Sequence, residues 1–203
     1  MTRRRLSLVS ALIFACAASP AHAQATTWQV DPVHTSTQFG VKHMMVSTVR
    51  GQFTRTSGTV VWDGKDPSSA VVNIVIDAAS IDTHDPARDN HLRSADLLNV
   101  AKYPTITFKS TKVEVVGPDR ARVTGELTIR GVARSVVLDV EGPSEPVKDP
   151  ANVTRIGASA TTKISRKDFG LIWNKVLEGG GVVVGDAVAI TIDVEIVSVP
   201  AEK

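Results

Sequence analysis

Residues 120–130, RARVTGELTIR, decide the fold class of this chain. Alternate positions along the stretch are apolar, and the positions between them are polar or charged. The apolar set is Ala121, Val123, Gly125, Leu127 and Ile129. A period of two with one apolar face and one polar face is typical of an antiparallel β-strand that is wetted on one side. The stretch therefore predicts such a strand.

The neighbouring sequence repeats this alternation. Residues 132–141 place Val136, Leu138 and Val140 on one face, which Arg134 interrupts, and Gly131 favours a tight hairpin between the two strands. The same test predicts further strands at 34–46, 51–63, 70–78, 104–116, 153–165 and 183–198, after a short lead-in at 27–30. The chain is thus predicted to be mainly β, with seven to nine strands.

Two segments break the alternation. In residues 82–104, Asp85 before Pro86 is a helix-start signal, and Ser94 is expected to cap a second turn. Residues 167–181 carry several large apolar side chains and end in three glycines. We predict a short helical excursion in each segment.

About eight antiparallel strands favour a closed barrel or a two-sheet sandwich. The expected inner faces contain small residues, including Gly125, Ala158 and Ala160, and aromatic residues are 4% of the chain. An eight-stranded barrel lined by small side chains has room for one ligand. Alternatively, three large rings fill this space from the facing strands: Phe39, Phe53 and Phe108.

Residues 1–23 predict a cleavable signal peptide and export to the periplasm. They contain three arginines, an apolar run over 6–18 and the small-residue site Ala21-His22-Ala23. The formal charge of +2 over 203 residues includes these arginines. Without them, the mature chain from Gln24 has 20 Lys and Arg against 21 Asp and Glu, a net charge of −1.

These counts exclude several classes of protein. The near-neutral mature chain has no basic stripe for nucleic acid, and no apolar run reaches the roughly 20 residues that cross a bilayer. The one cysteine, Cys16, lies in the predicted signal, so the mature chain has no disulfide. Acylation of Cys16 is the alternative to cleavage after Ala23. We expect residues 24–203 to form one domain that is held together by core burial.

Short motifs follow one another along the chain. They are Asp31–Ser36 (DPVHTS), Phe39, Val41–Met44 (VKHM), Gly51–Phe53 (GQF), Arg88–Asp89, His91–Leu92, Ser94–Asp96 (SAD), Tyr103–Pro104, Phe108, Gly125–Val132 (GELTIRGV), Arg166–Gly170 (RKDFG) and Val184–Asp186 (VGD). In this order they resemble the YceI-like family of bacterial exported proteins, and the resemblance covers essentially the whole mature chain.

The resemblance implies an extended eight-stranded antiparallel β-barrel, lipocalin-like in shape, with a helix beside it and a long apolar tunnel. It further implies a periplasmic protein that binds a polyisoprenoid or another long-chain lipid, including quinone-like molecules, for sequestration or transport. Such a carrier needs no catalytic group and no cofactor. The sequence leaves the oligomeric state open, and a homodimer is compatible with it.

The expected tunnel lining is apolar, because each methylene removed from water contributes ~0.8 kcal/mol to binding. The candidate lining residues are Phe39, Val41, Phe53, Ile74, Ile76, Phe108, Leu127, Ile129, Ala158, Ala160, Ile190 and Ile192. For each of them the alternative is plain core packing without ligand contact.

Ionisable residues cluster in the two helical excursions. Two roles are open for them: a polar mouth that receives a lipid head group, or a salt-bridge network that pins the excursions to the barrel. The residues are Arg88, Asp89, His91, Arg166 and Asp168. A metal-dependent or acid/base enzyme that uses His84, Asp89 and His91 is the alternative function. The histidine spacing spans Pro86 and matches no helical metal motif, so we expect no metal site.

Overall fold

A computed structural model describes residues 25–198 of the chain. The predicted signal peptide and Cys16 lie outside the described residues. The strands are β1 (Thr26–Val30), β2 (Ser36–His43), β3 (Ser47–Phe53), β4 (Thr56–Trp62), β5 (Val71–Asp77), β6 (Ile81–Asp82), β7 (Thr105–Gly117), β8 (Arg120–Ile129), β9 (Val132–Glu141), β10 (Val147–Lys148), β11 (Thr154–Ser165) and β12 (Val184–Ser198). The helix α1 is Pro86–Arg93, and the 3-10 turns are Pro67–Ser69, Ala78–Ser80 and Arg166–Phe169.

The sheet closes on itself. Each neighbouring pair is antiparallel in the ring β11-β9-β8-β7-β5-β4-β1-β12, and β12 pairs again with β11. We call each position of the ring a stave, and three of the eight staves are bent and consist of two strands each. β2 continues β1 along β12, β3 runs into β4, and β6 extends β5 beside β3. The eight-stranded antiparallel barrel predicted from the sequence is confirmed. β9 and β11 share three register pairs.

The hairpin between β2 and β3 was not predicted. The expected strands 34–46 and 51–63 are wrong at this point, because a turn at 44–46 separates β2 from β3 and a bend at 54–55 separates β3 from β4. Met44 and Met45 adopt left-handed φ values of 51° and 60°. Glycine and asparagine favour that conformation and methionine does not, so the sequence carries no signal for this turn.

The predicted start of the first helical segment is confirmed. The Asp85 side chain accepts hydrogen bonds from the backbone N–H groups of Ala87 (3.0 Å) and Arg88 (3.1 Å), and Pro86 occupies the first turn. Ser94 ends α1 and caps the turn that follows, as predicted, because its hydroxyl oxygen accepts a hydrogen bond from the Asp96 backbone N–H at 3.3 Å. The turns after it bury Leu97 and Leu98. Within residues 25–198, no helix is long and apolar enough to cross a bilayer.

The second predicted excursion is wrong beyond its first turn. Residues 170–181 run as an irregular loop after the 3-10 turn, with one bridge between Val176 and Val182. The buried guanidinium of Arg166 donates to the carbonyls of Leu171 and Trp173 (2.9 Å for Trp173). Because a side chain satisfies these carbonyls, the loop needs no helical ladder here.

Two of the inward glycines accommodate aromatic rings. A Cβ atom added to Gly125 would overlap the ring of Phe108, and one added to Gly51 would overlap the ring of Phe39. The space that Gly125 leaves on the inner face is therefore filled by Phe108, as the second reading of the sequence expected. The small residues that remain on the inner face of β11 are Ala158 and Ala160.

We predict that Gly125→Ala destabilises the barrel. The added methyl group meets the Phe108 ring and the Lys109 carbonyl, and overpacking of this kind costs about 1–3 kcal/mol in free energy of unfolding. Gly179→Ala is the control, because no atom lies within 4 Å of an added Cβ there. Urea unfolding followed by tryptophan fluorescence measures both. Equal stability of the two variants would contradict this packing.

Candidate functional site

An apolar cavity of about 640 Å³ runs through the barrel. Its extent is clearest on β12, where five alternate residues line it: Val188, Ile190, Ile192, Val194 and Ile196. Eight residue steps at ~3.3 Å make this lining about 26 Å long along the strand. The volume falls within the roughly 300–1,000 Å³ that is usual for ligand cavities. The cavity is thus long for its volume, which suits a chain-like ligand.

All twelve candidate lining residues border this cavity. They come from seven of the eight staves, all except β9: Phe39, Val41, Phe53, Ile74, Ile76, Phe108, Leu127, Ile129, Ala158, Ala160, Ile190 and Ile192. Their contact with a ligand stays a prediction. Leu97 and Leu98, which follow α1, border it as well.

One end of the barrel carries the charged part of the lining. This end, which we call the helix end, is formed by α1, the loop 170–183 and the hairpin tip 44–46. The charged or titratable lining residues, all at this end, are Lys42, His43, Arg88, His91 and Arg166. Among the described residues, no Asp or Glu borders the cavity. The titratable side chains that line the mouth are therefore all basic residue types.

The opposite end is packed with large apolar side chains. Trp28 and Trp62 lie with ring centroids 6.5 Å apart and pack with Ile156 and Ile196. Trp62 donates a hydrogen bond from its indole nitrogen to the carbonyl of Asp66 at 2.8 Å. The cavity therefore has an apolar end and a polar end.

Arg166 anchors the loop at the helix end. Its Nε atom donates to the Gly185 carbonyl at 3.0 Å, and Nη2 lies 3.1 Å from a carboxylate oxygen of Asp186. With its bonds to Leu171 and Trp173, one buried guanidinium joins the loop to the start of β12. The Lys167 ammonium, and then Arg166, hold the pKa of Asp186 below its ordinary value.

Arg88 and Asp89 hold α1 to the end of β6. Arg88 donates from Nε to the Thr83 hydroxyl at 2.8 Å and from Nη2 to the Thr83 carbonyl at 2.8 Å. The buried Asp89 carboxylate accepts from the Thr83 backbone N–H at 3.0 Å and from its hydroxyl at 2.6 Å. Asp89 thus lies behind Thr83 and does not border the cavity, and Asp168 is exposed to solvent outside it.

His91 makes the most direct contact across the mouth. Its ring lies edge-on to Trp173 with centroids 4.5 Å apart, and its Nε2 atom lies 3.2 Å from a carboxylate oxygen of Asp96. Trp173 and Lys42 also border the cavity and were not predicted to do so. Only the closure of the loop over β12 brings Trp173 there, and a sequence pattern holds no signal for that contact.

The three residues of the enzyme alternative do not converge. His84 is 82% exposed beside Asp82, His91 faces Trp173, and Asp89 bonds to Thr83. Within residues 25–198, one group of three metal-type ligands lies within 4.8 Å, and it is formed by Asp31, His34 and Glu195.

Arg155 already occupies the centre of that group. Its Nη1 atom lies 2.7 Å from a carboxylate oxygen of Asp31 and 2.5 Å from one of Glu195. Its Nε atom lies 2.9 Å from a carboxylate oxygen of Asp149. The His34 Nδ1 atom lies 2.9 Å from the same Asp31 oxygen. Hydrogen bonds from His34 and, second in size, from Arg155 lower the pKa of Asp31. The hydrogen bond to Glu195 is the largest cause that raises the pKa of Arg155. We interpret the group as an ion-pair network that joins β11, β12 and the loop after β1.

Comparison with known proteins places these features in a family. The sequence pattern that defines the YceI-like domain matches residues 28–196. A UPF0312 protein of Shewanella baltica (strain OS185) is 37% identical over 166 residues, which cover 81% of this chain and 86% of that protein.

Solved structures share the fold. The Campylobacter jejuni YceI protein has a TM-score of 0.66 at 31% identity, over 78% of this chain and 90% of that one. A polyisoprenoid binding domain from Saccharophagus degradans, implicated in plant cell wall breakdown, has a TM-score of 0.63 at 17% identity, over 86% of this chain and 99% of that one. At that identity the second likeness concerns the fold alone.

We predict that the free energy of unfolding falls less steeply on acidification in Asp31→Asn than in the wild type. Because the folded pKa of Asp31 is depressed, its stabilisation is complete above the unfolded pKa of about 3.9 and is lost as the pH falls through the folded value. The variant should be less stable at neutral pH and should lose less stability on acidification. Asp139→Asn, at a 72% exposed carboxylate, is the control. Parallel pH profiles for wild type and Asp31→Asn would contradict the network.

Proposed function

Since this chain belongs to the YceI-like domain family, we propose that it is a binding protein that holds a long-chain apolar lipid inside its barrel. An isoprenoid or quinone-like chain is the ligand class that fits best. The observation that carries the proposal is the cavity: about 640 Å³, lined by apolar side chains from all eight staves, and elongated along the barrel.

Burial of hydrocarbon supplies the binding energy. Each methylene transferred from water into the cavity contributes ~0.8 kcal/mol, so a chain of many carbons gains far more than any single polar contact provides. Part of this gain is offset by the entropy lost when the chain is held extended. An elongated apolar cavity therefore selects for length and apolarity, without a catalytic group or a cofactor.

The helix end is proposed as the place of the lipid's polar head. Three of the five ionisable residues predicted for a mouth border the cavity there: Arg88, His91 and Arg166. Arg166 and Arg88 also pin the loop and α1, so the two roles that the sequence left open are compatible. Lys42 and His43 add positive or polar character, which suits a hydroxyl, carbonyl or anionic head group.

The proposed location is the periplasm. Residues 1–23 have the charge, apolar run and small-residue site of a signal peptide, and cleavage after Ala23 leaves the chain from Gln24. In that compartment the protein sequesters or carries its lipid between membranes. The family likeness favours this role over an enzymatic one.

We predict that Ala160→Phe weakens binding of a fluorescent prenol. Ala160 borders the cavity, and a benzyl group there excludes roughly three methylenes of ligand, which at ~0.8 kcal/mol each weakens affinity by more than about tenfold. Titration with dansyl-labelled geranylgeraniol measures the affinity. Thr161→Phe, on the exposed side of the same strand, is the matched control and should bind as wild type does.

Far-UV circular dichroism should show that both variants keep the barrel. A folded Ala160→Phe protein that binds the prenol with wild-type affinity would place the ligand outside the cavity and would contradict the proposal.

A further inference from the structure

Five exposed apolar side chains lie at the helix end. Two loops contribute them: the hairpin tip with Met44 (41% exposed), Met45 (67%) and Val46 (83%), and the loop after the 3-10 turn with Ile172 (70%) and Val176 (82%). We call these five residues the apolar rim. Three consecutive apolar residues at the tip of a solvent-facing hairpin are unfavourable in water.

The two loops of the rim form one continuous edge. The backbone N–H of Met44 donates to the Val183 carbonyl at 2.9 Å, and the N–H of Val183 donates to the Lys175 carbonyl at 3.0 Å. Val176 pairs with Val182 in the same loop. Backbone hydrogen bonds therefore hold the hairpin tip and the loop side by side.

The rim also adjoins the cavity mouth. Next to Met44, His43 and Lys42 border the cavity, and next to Ile172, Leu171 and Trp173 border it. Each rim segment is therefore the solvent-facing continuation of a segment that lines the mouth.

The backbone of the tip adds to this observation. Met44 and Met45 hold left-handed φ values, which residues with a Cβ adopt unfavourably. Neither burial inside this protein nor backbone preference stabilises two methionines at these positions. Their exposed side chains are therefore available for a contact outside the chain.

The charges near the rim suit a phospholipid surface. Lys42 and Lys175 are exposed on the two rim segments, and Glu178 is the exposed acid on the loop. Asp186, the next acid along the chain, is paired with Lys167 at 2.8 Å and with Arg166 at 3.1 Å. Amphipathic surfaces with cations beside apolar side chains bind the boundary between phosphate head groups and acyl chains.

The size of the rim argues against a second copy of this chain. A stable protein–protein interface uses roughly 20–30 residues on each side, and the rim offers five apolar residues on two loops. Shallow insertion into a bilayer needs only such a small apolar tip.

We propose that the apolar rim docks the protein onto a phospholipid bilayer, so that the cavity mouth faces the hydrocarbon phase from which the ligand enters. This inference rests on the proposed lipid-binding function. It also predicts the direction in which the ligand enters the cavity, because the ligand's chain would pass the rim before it reaches the apolar end at Trp28 and Trp62.

Flotation with vesicles tests the docking. The full protein is mixed with phosphatidylcholine vesicles with or without phosphatidylglycerol, and the vesicle-bound fraction is measured. We expect binding that phosphatidylglycerol strengthens and that Met45→Asn, Val46→Ser or Ile172→Ser each weaken about tenfold, the factor that burial of one such side chain implies. Asparagine tolerates the left-handed conformation at position 45, so that variant keeps the turn.

Val115→Ser and Val116→Ser are the matched controls. These valines are 51% and 55% exposed on β7, near the end of the strand opposite the helix end, and their replacement should leave vesicle binding unchanged. Loss of vesicle binding in the controls to the same degree, or wild-type binding by all three rim variants, would overturn the inference.

A second titration separates this inference from the proposed function. Dansyl-labelled geranylgeraniol is added to wild type and rim variants in the absence of vesicles, where equal affinity is expected. If wild type binds the prenol but no vesicles, the docking inference fails and the lipid-binding function stands. If wild type binds neither, both fail.

Discussion

Closure of the sheet is the constraint on which the rest of the structure depends. Eight antiparallel staves pair in a ring that closes through three register pairs between β9 and β11, and the strand number fixes the width of the interior. Side chains alone decide how much of that interior is filled. Phe108 over Gly125 and Phe39 over Gly51 fill part of it, whereas Ala158 and Ala160 leave a passage.

Closure of the sheet also explains why the charged lining side chains lie at one end of the barrel. An ionised side chain inside the passage would be costly without partners, so the body of the cavity is apolar and the cations lie where the staves meet loops and α1. There Arg166, Arg88 and Asp89 satisfy backbone carbonyls, N–H groups and hydroxyls of the covering segments. These contacts build a defined mouth from loops that lack a regular hydrogen-bond ladder.

Much of this architecture can be predicted from the sequence, because strict alternation reports directly which side chains face inward. The stretch 120–141, its hairpin at Gly131 and all twelve lining candidates follow from that period. The Met44–Met45 turn could not be predicted, since neither residue favours a left-handed backbone. The loop 170–181 has helical composition, but its shape depends on Arg166, whose contacts are tertiary. The pairing of Asp31 with Glu195 through Arg155 joins residues far apart in sequence.

The central claim, that the interior of this barrel holds a long-chain apolar lipid, is tested most directly by what the protein carries when it is isolated from cells. Organic extraction of the purified protein, followed by mass spectrometry, identifies and quantifies that cargo. We expect about one long-chain lipid of isoprenoid or quinone-like type per protein. Repeated recovery of folded protein without any apolar ligand, although lipid was available during expression, would contradict it.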